Sequence, residues 1–89
     1  MSRIVIKFGG TSVADIQRIR DAAKKVAFEF KQGHQIIVVV SAMAGVTNKL
    51  IEMTNSLEDH LDASEYDVVL SSGEQTTSGL MALALQELG

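Results

Sequence analysis

Cysteine, proline and tryptophan are absent from these 89 residues, and aromatics make up only 4% of them. Without cysteine, neither a disulfide framework nor a cysteine-based metal site can form. The two histidines, His34 and His60, lie far apart and lack ligand spacing. No apolar run reaches the ~18 residues of a membrane span, and "MSRIVIKF" has no signal-peptide layout. A cytoplasmic protein with no membrane partner is therefore expected. A net charge of −3 argues against a nucleic-acid partner. The local basic group of Arg18, Arg20, Lys24 and Lys25 is surrounded by acids and reads as a solvated helix face. There is no internal repeat and no low-complexity tract.

What the chain does have is aliphatic bulk. It is 46% hydrophobic and carries runs such as "QIIVVVSAMAGV". A chain this short buries only about 60–65% of the surface its unfolded form exposes. So much apolar character exceeds what an isolated small domain needs and suggests part of something larger.

Arg3–Phe8 reads as a strand, because Ile4, Val5 and Ile6 are consecutive and β-prone. Apolar residues then recur at Ile16, Ile19, Ala23, Val26 and Phe30, which marks one face of an amphipathic helix. Ser12-x-x-Asp15 resembles a capping box at its start, and Gly33 is a reasonable stop. Gln35–Ser41 does not alternate, which suits a strand buried on both faces of a parallel sheet. Strand, helix and strand make a βαβ unit whose crossover is right-handed. The C-terminal ends of both strands, each bearing glycine, then open on one edge of the sheet, where open α/β sheets bind ligands.

A second helix is expected from about Thr47, with Leu50, Ile51, Thr54, Leu57 and Leu61 on one side. "EDHLDASEYD" reads as a connection. The segment 65–88 follows a helical period through Tyr66, Val69, Leu70, Gly73, Thr76, Thr77, Leu80 and Ala84. "SSG" in its middle is a weak point, and a short strand at Asp67–Ser71 is the alternative. Met43, Met53 and Met81 read as core filler, and the two histidines as surface residues.

The stretch "IVIKFGGTS" carries the chemistry. A lysine at the mouth of a buried strand costs desolvation unless it meets an anion or water. Two glycines let the backbone approach a ligand and turn N–H groups outward. Thr11 and Ser12 add hydroxyls, and a helix N-terminus follows. These parts describe an anion site of a kind that suits phosphate. The order differs from G-x-x-x-x-G-K-[ST], where the lysine comes last, and from G-x-G-x-x-G. On these residues alone, an exposed strand-end lysine beside a glycine turn stands equal to the phosphate reading.

Three segments together resemble one family. "IVIKFGGTSVAD", "VVVSAMAGVTNKL" and "SSGEQTTSGLMALAL" are similar, in order and spacing, to segments of the aspartate kinases in the amino acid kinase family. The first segment alone leaves acetylglutamate, glutamate, carbamate and uridylate kinases open. The Thr-Ser after the glycines, "SAMAGVTN" and "SGE" point to aspartate kinase. The short distance from "VTNKL" to "SSGE" resembles the monofunctional forms rather than those fused to homoserine dehydrogenase.

The resemblance implies the N-terminal βαβ portion of a three-layer αβα sandwich with a mainly parallel sheet, here two strands and three helices. It implies ATP-dependent phosphorylation of the L-aspartate side-chain carboxylate to 4-phospho-L-aspartate, which feeds lysine, threonine and methionine synthesis. That carboxylate, with a reference pKa of about 3.9, is already an anion at neutral pH, so no general base is needed. Catalysis is then mostly positioning and charge stabilisation.

By the same resemblance Lys7 is catalytic and binds phosphate, with Phe8, Gly9, Gly10, Thr11 and Ser12 beside it. Ser41 lines the phosphate and substrate side, Thr47 holds the aspartate and Glu74 pairs with its ammonium. Each has a plainer rival: Ser41 as a strand end, Thr47 as an N-cap, Glu74 as a solvated helix residue. Mg²⁺ arrives with ATP, and no ligand for it is named among these residues. Residues 1–89 would be the N-terminal part of a longer, homo-oligomeric enzyme. The rest would supply the nucleotide pocket, a second lysine and ACT regulatory domains. The chain alone is expected to be inactive and marginally stable, or to associate through strand edges. A non-catalytic remnant or interaction module, or a kinase for another acid, is the alternative. The retained Lys7, Gly10, Thr47 and Glu74 favour the aspartate kinase.

Overall fold

The computed structural model describes residues 2–57 and 63–89. Two strands, β1 (Arg3–Phe8) and β2 (Gln35–Val40), pair in parallel, with Lys7 opposite Val39 and Phe8 opposite Val40. Helix α1 (Ile16–Lys31) makes the crossover between them. Helices α2 (Val46–Asn55) and α3 (Ala63–Leu88) follow. This is the α/β arrangement that the sequence pattern predicts.

The helices cover one face of the sheet. Ile6, Phe8, Ile36, Val38 and Val40 point into a core formed with Val13, Ile19, Ala22, Ala23, Val26 and Met81. Burying Ile19 and Val26 contributes about 1.5–3 kcal/mol each relative to exposure. The other face is bare. Val5, Ile37 and Val39 are 63%, 56% and 42% exposed, so the expectation of strands buried on both faces is not met. The unbroken "IIVVV" run carries apolar side chains to both faces, but the helices of the described residues pack on only one of them.

The ends of α1 also depart from expectation. Ile19, Ala23 and Val26 are buried, whereas Ile16 and Phe30 are largely exposed. A sixteen-residue helix is about 24 Å long and a six-residue strand about 20 Å, so the helix ends overhang the sheet. The N-cap is Asp15, not Ser12. Asp15 Oδ1 accepts from the Arg18 N–H at 2.8 Å. Ser12 instead lies in a 3-10 turn over Gly10–Val13. At the other end Gly33 takes φ 89°, the left-handed conformation glycine adopts without strain.

Helix α3 runs unbroken through Ser71-Ser72-Gly73, and Asp67–Ser71 is helical rather than extended. The hydroxyls explain the continuity. Ser71, Ser72, Thr76 and Thr77 donate to the carbonyls of Val68, Val69, Ser72 and Gly73, three or four residues back, so none competes with the helix. Residues 63 and 64, expected only as connection, belong to the helix together with 65–67, which the helical period already covers, while 58–62, with His60 and Leu61, lie outside the described residues. Leu57, expected on the inner side of α2, is 74% exposed, and Met53 is 58% exposed rather than core filler. His34 is partly buried, with Nδ1 shielded and unbonded, rather than a surface residue.

Candidate functional site

The loops after β1 and β2 are stitched together by main-chain bonds. Ser41 N–H donates to the Phe8 carbonyl at 3.2 Å, and Ala44 N–H to the Gly10 carbonyl at 3.2 Å. Within the first loop, Ser12 N–H donates to the Gly9 carbonyl at 3.0 Å. Arg18 Nη1 donates to the Thr11 carbonyl at 3.0 Å. Four successive carbonyls, from Phe8 to Thr11, are thus each engaged.

A peptide unit carries its carbonyl and the next N–H on opposite sides. Fixing those carbonyls therefore turns the amides of Gly9, Gly10 and Thr11 the other way. Among the described residues, none of these three amides donates in the turn and loop bonding. Successive outward amides form a concavity that favours an anion. The Thr11 and Ser12 side chains are exposed beside them.

Two glycines let the surrounding elements close in. A Cβ on Gly10 would stand 3.0 Å from the Ala42 carbonyl oxygen and 3.5 Å from Ala44 Cα. A Cβ on Gly73 would stand 3.1 Å from Ala42 Cβ, 3.2 Å from Val46 Cγ1 and 3.4 Å from Leu50 Cδ1. Buried Ala42 is therefore a post against which the glycine turn and helix α3 both rest. Glu74, the next residue on α3, is exposed.

The predicted residues fall into three groups. Gly9, Gly10, Thr11 and Ser12 form the turn, and half-buried Ser41 lies directly across from it. Lys7 is exposed on the bare face of the sheet with Val5 and Val39. Thr47 and Glu74 are exposed on α2 and α3, on either side of the contact at Gly73. Among the described residues no ion pair or hydrogen bond ties Lys7, Thr47 and Glu74 to one another. Phe8 is committed to the fold: its ring is in the core and its carbonyl accepts from Ser41. Thr47 is not the N-cap of α2. That position is Gly45, at φ 82°.

Arg18, which the pattern of residue types gives only as part of a solvated basic face, Asp15, which it gives only as the far end of a capping box, and Ala42, which it does not mark, all hold the turn. Asp15 stands three residues before Arg18, the spacing that Ser12 has to Asp15, and it is the cap at the second of these positions.

A sequence model of the amino acid kinase family matches residues 2–89. An aspartokinase of Rickettsia felis is 54% identical over 90 residues, covering 98% of this chain and 22% of that protein. Aspartokinase 2 of Bacillus subtilis is 44% identical over 89 residues, covering all of this chain and 22% of its own length. The crystal structure of aspartate kinase from Synechocystis superposes with a TM-score of 0.90 at 39% identity, over 94% of this chain and 14% of that one. The chain thus spans about a fifth of the length of these curated relatives.

Proposed function

This chain belongs to the amino acid kinase family, and from that premise we propose that it carries the phosphate-edge loops of an aspartate kinase. The reaction is transfer of the γ-phosphoryl group of ATP to the side-chain carboxylate of L-aspartate, giving 4-phospho-L-aspartate. The observation that carries this reading is the turn itself: three amides left open by four engaged carbonyls, at the carboxyl end of a parallel strand. Likeness to aspartokinases over the whole chain supports the choice of substrate.

Each residue then has a physical task. The amides of Gly9, Gly10 and Thr11, with the Thr11 and Ser12 hydroxyls, hold phosphate oxygens. Lys7 brings a cation to the approach of an anion to a polyanion, where repulsion is the main barrier. Ser41 lines the space across from the turn. Thr47 and Glu74 hold the amino acid, Glu74 through its ammonium group, which sets selectivity for an amino acid over a simple dicarboxylate.

Among the described residues no group of three or more histidine, aspartate or glutamate side chains is placed to hold a metal. Mg²⁺ would arrive with the ATP phosphates. Among the described residues no helix is long and apolar enough to cross a membrane. A cytoplasmic location, a place in lysine, threonine and methionine synthesis, and a homo-oligomeric full-length enzyme complete the proposal. The 89 residues, as the N-terminal part of a larger catalytic domain, would be inactive alone.

The test is ADP release by the full-length protein with L-aspartate and with L-glutamate as acceptors. Release that depends on aspartate supports the reading. Release that depends on glutamate, or on neither acid, overturns it.

A further inference from the structure

The anion turn is held by four carbonyl ties, and three of them are main chain to main chain. The fourth is a side chain. Arg18 Nη1 reaches the Thr11 carbonyl at 3.0 Å across the start of α1. The same residue is held at two other points. Its N–H donates to Asp15 Oδ1 at 2.8 Å, and its Nε stands 3.9 Å from Asp15 Oδ2. Asp15 thus caps the helix with one oxygen and stands at the edge of ion-pair range of the guanidinium with the other.

We propose that Arg18 is a positioning residue that fixes the Thr11–Ser12 peptide plane and so keeps the Thr11 carbonyl oxygen out of the space that the open amides of Gly9, Gly10 and Thr11 offer to nucleotide phosphate. This inference rests on the kinase reading above. The peptide is gripped at both ends, its carbonyl by Arg18 and its N–H by the Gly9 carbonyl. Released at the carbonyl, it can rotate and place an oxygen where phosphate oxygens would sit. Arg18 has no need to touch the ligand for this. Its side chain is 58% exposed, so its loss leaves no buried hole in the core. That exposure separates the proposed role from a packing role.

The test uses the full-length protein with Arg18→Gln and Arg18→Lys. Each is assayed for the Kd of a non-hydrolysable ATP analogue without aspartate, for the KM of both substrates, and for thermal midpoint. One hydrogen bond of ordinary strength predicts that Arg18→Gln raises the analogue Kd and the ATP KM roughly three- to tenfold. Arg18→Lys, which keeps a cationic donor but not the fork, falls between it and the wild type. The aspartate KM and the thermal midpoint stay at wild-type values. An analogue Kd within about twofold of wild type in Arg18→Gln overturns the inference. So does a parallel fall in midpoint and rise in both KM values, which marks a general structural role. If the wild type binds the analogue but does not phosphorylate aspartate, the substrate reading fails, and the analogue Kd values still decide the role of Arg18. If the wild type does not bind the analogue, both fall.

Discussion

Gly73 in the middle of α3 and Ala42 in the loop after β2 approach so closely that a Cβ on the glycine would lie 3.1 Å from Ala42 Cβ. A helix-interior glycine costs about 1 kcal/mol relative to alanine. The close crossing is what that cost allows, because it seats α3 against the loop that also receives the glycine turn.

Gly73→Ala gains that helix propensity and meets overpacking of typically 1–3 kcal/mol against Ala42, Val46 and Leu50. The net change expected is between zero and about 2 kcal/mol of destabilisation, since propensity and crowding oppose. Gly73→Val adds more bulk with a smaller propensity gain and should cost more than Gly73→Ala. Urea midpoints of the two variants check the order, and a Gly73→Val protein as stable as wild type contradicts the crossing.

Gly10→Ala is the sharper test. Its new methyl would meet the Ala42 carbonyl oxygen at 3.0 Å, and a backbone oxygen cannot swing aside as a side-chain tip can. The stitched loops must give by a few tenths of an ångström, which strains the Ala44 to Gly10 bond. A stability loss of about 1–3 kcal/mol is expected, together with a raised ATP KM. Denaturant unfolding and steady-state kinetics on the same sample read both.

Lys7 and Glu74 should fail differently in the full-length enzyme. Lys7→Ala removes charge stabilisation and is expected to lower kcat roughly 10²–10³-fold. Glu74→Gln removes a charged partner for the substrate ammonium and should raise the aspartate KM roughly tenfold or more with the ATP KM unchanged. An unchanged aspartate KM in Glu74→Gln removes that residue from the site.

Arg20 and Glu87 join α1 to α3 through two bonds of 3.0 and 3.3 Å. Their side chains are 49% and 57% exposed, so solvent screens the pair. A double-mutant cycle with Arg20→Ala and Glu87→Ala should give a coupling of roughly 0.2–1 kcal/mol that shrinks in high salt. A larger, salt-independent coupling would show that the pair is less solvated than its exposure indicates.

The bare sheet face makes a prediction for residues 1–89 produced alone. Val5, Ile37 and Val39 offer an apolar strip to solvent. Sedimentation should show concentration-dependent association, and Ile37→Lys should reduce it. A monomer with a cooperative urea transition in the unaltered chain contradicts this.

Local pattern carried much of the fold. The β-branched runs place β1 and β2, and the three-four spacing places α1, because these signals are properties of neighbouring residues. What escaped depends on contacts between distant ones. Ser12 and Asp15 both suit an N-cap, and only the 3-10 turn over Gly10–Val13 decides between them. Gly73 read as a weak point in α3, since the crowding at Ala42 is invisible along the chain. Ile16 and Phe30 fit the helical stripe yet overhang the sheet. At the site, the glycine turn was legible from composition. The Arg18 tie was not, because an arginine on a helix of mixed charge looks like any solvated residue.

The parallel register keeps β1 and β2 partners 32 residues apart in sequence. Loop closure of that length must be met before the sheet exists. Two of the four ties on the glycine turn come from Ser41 and Ala44, beyond the second strand. At a synthesis rate of about 5–20 residues per second, the turn waits a few seconds for them. The anion-binding turn, though it precedes α1 and β2 along the chain, is therefore one of the last pieces of the βαβ unit to take shape.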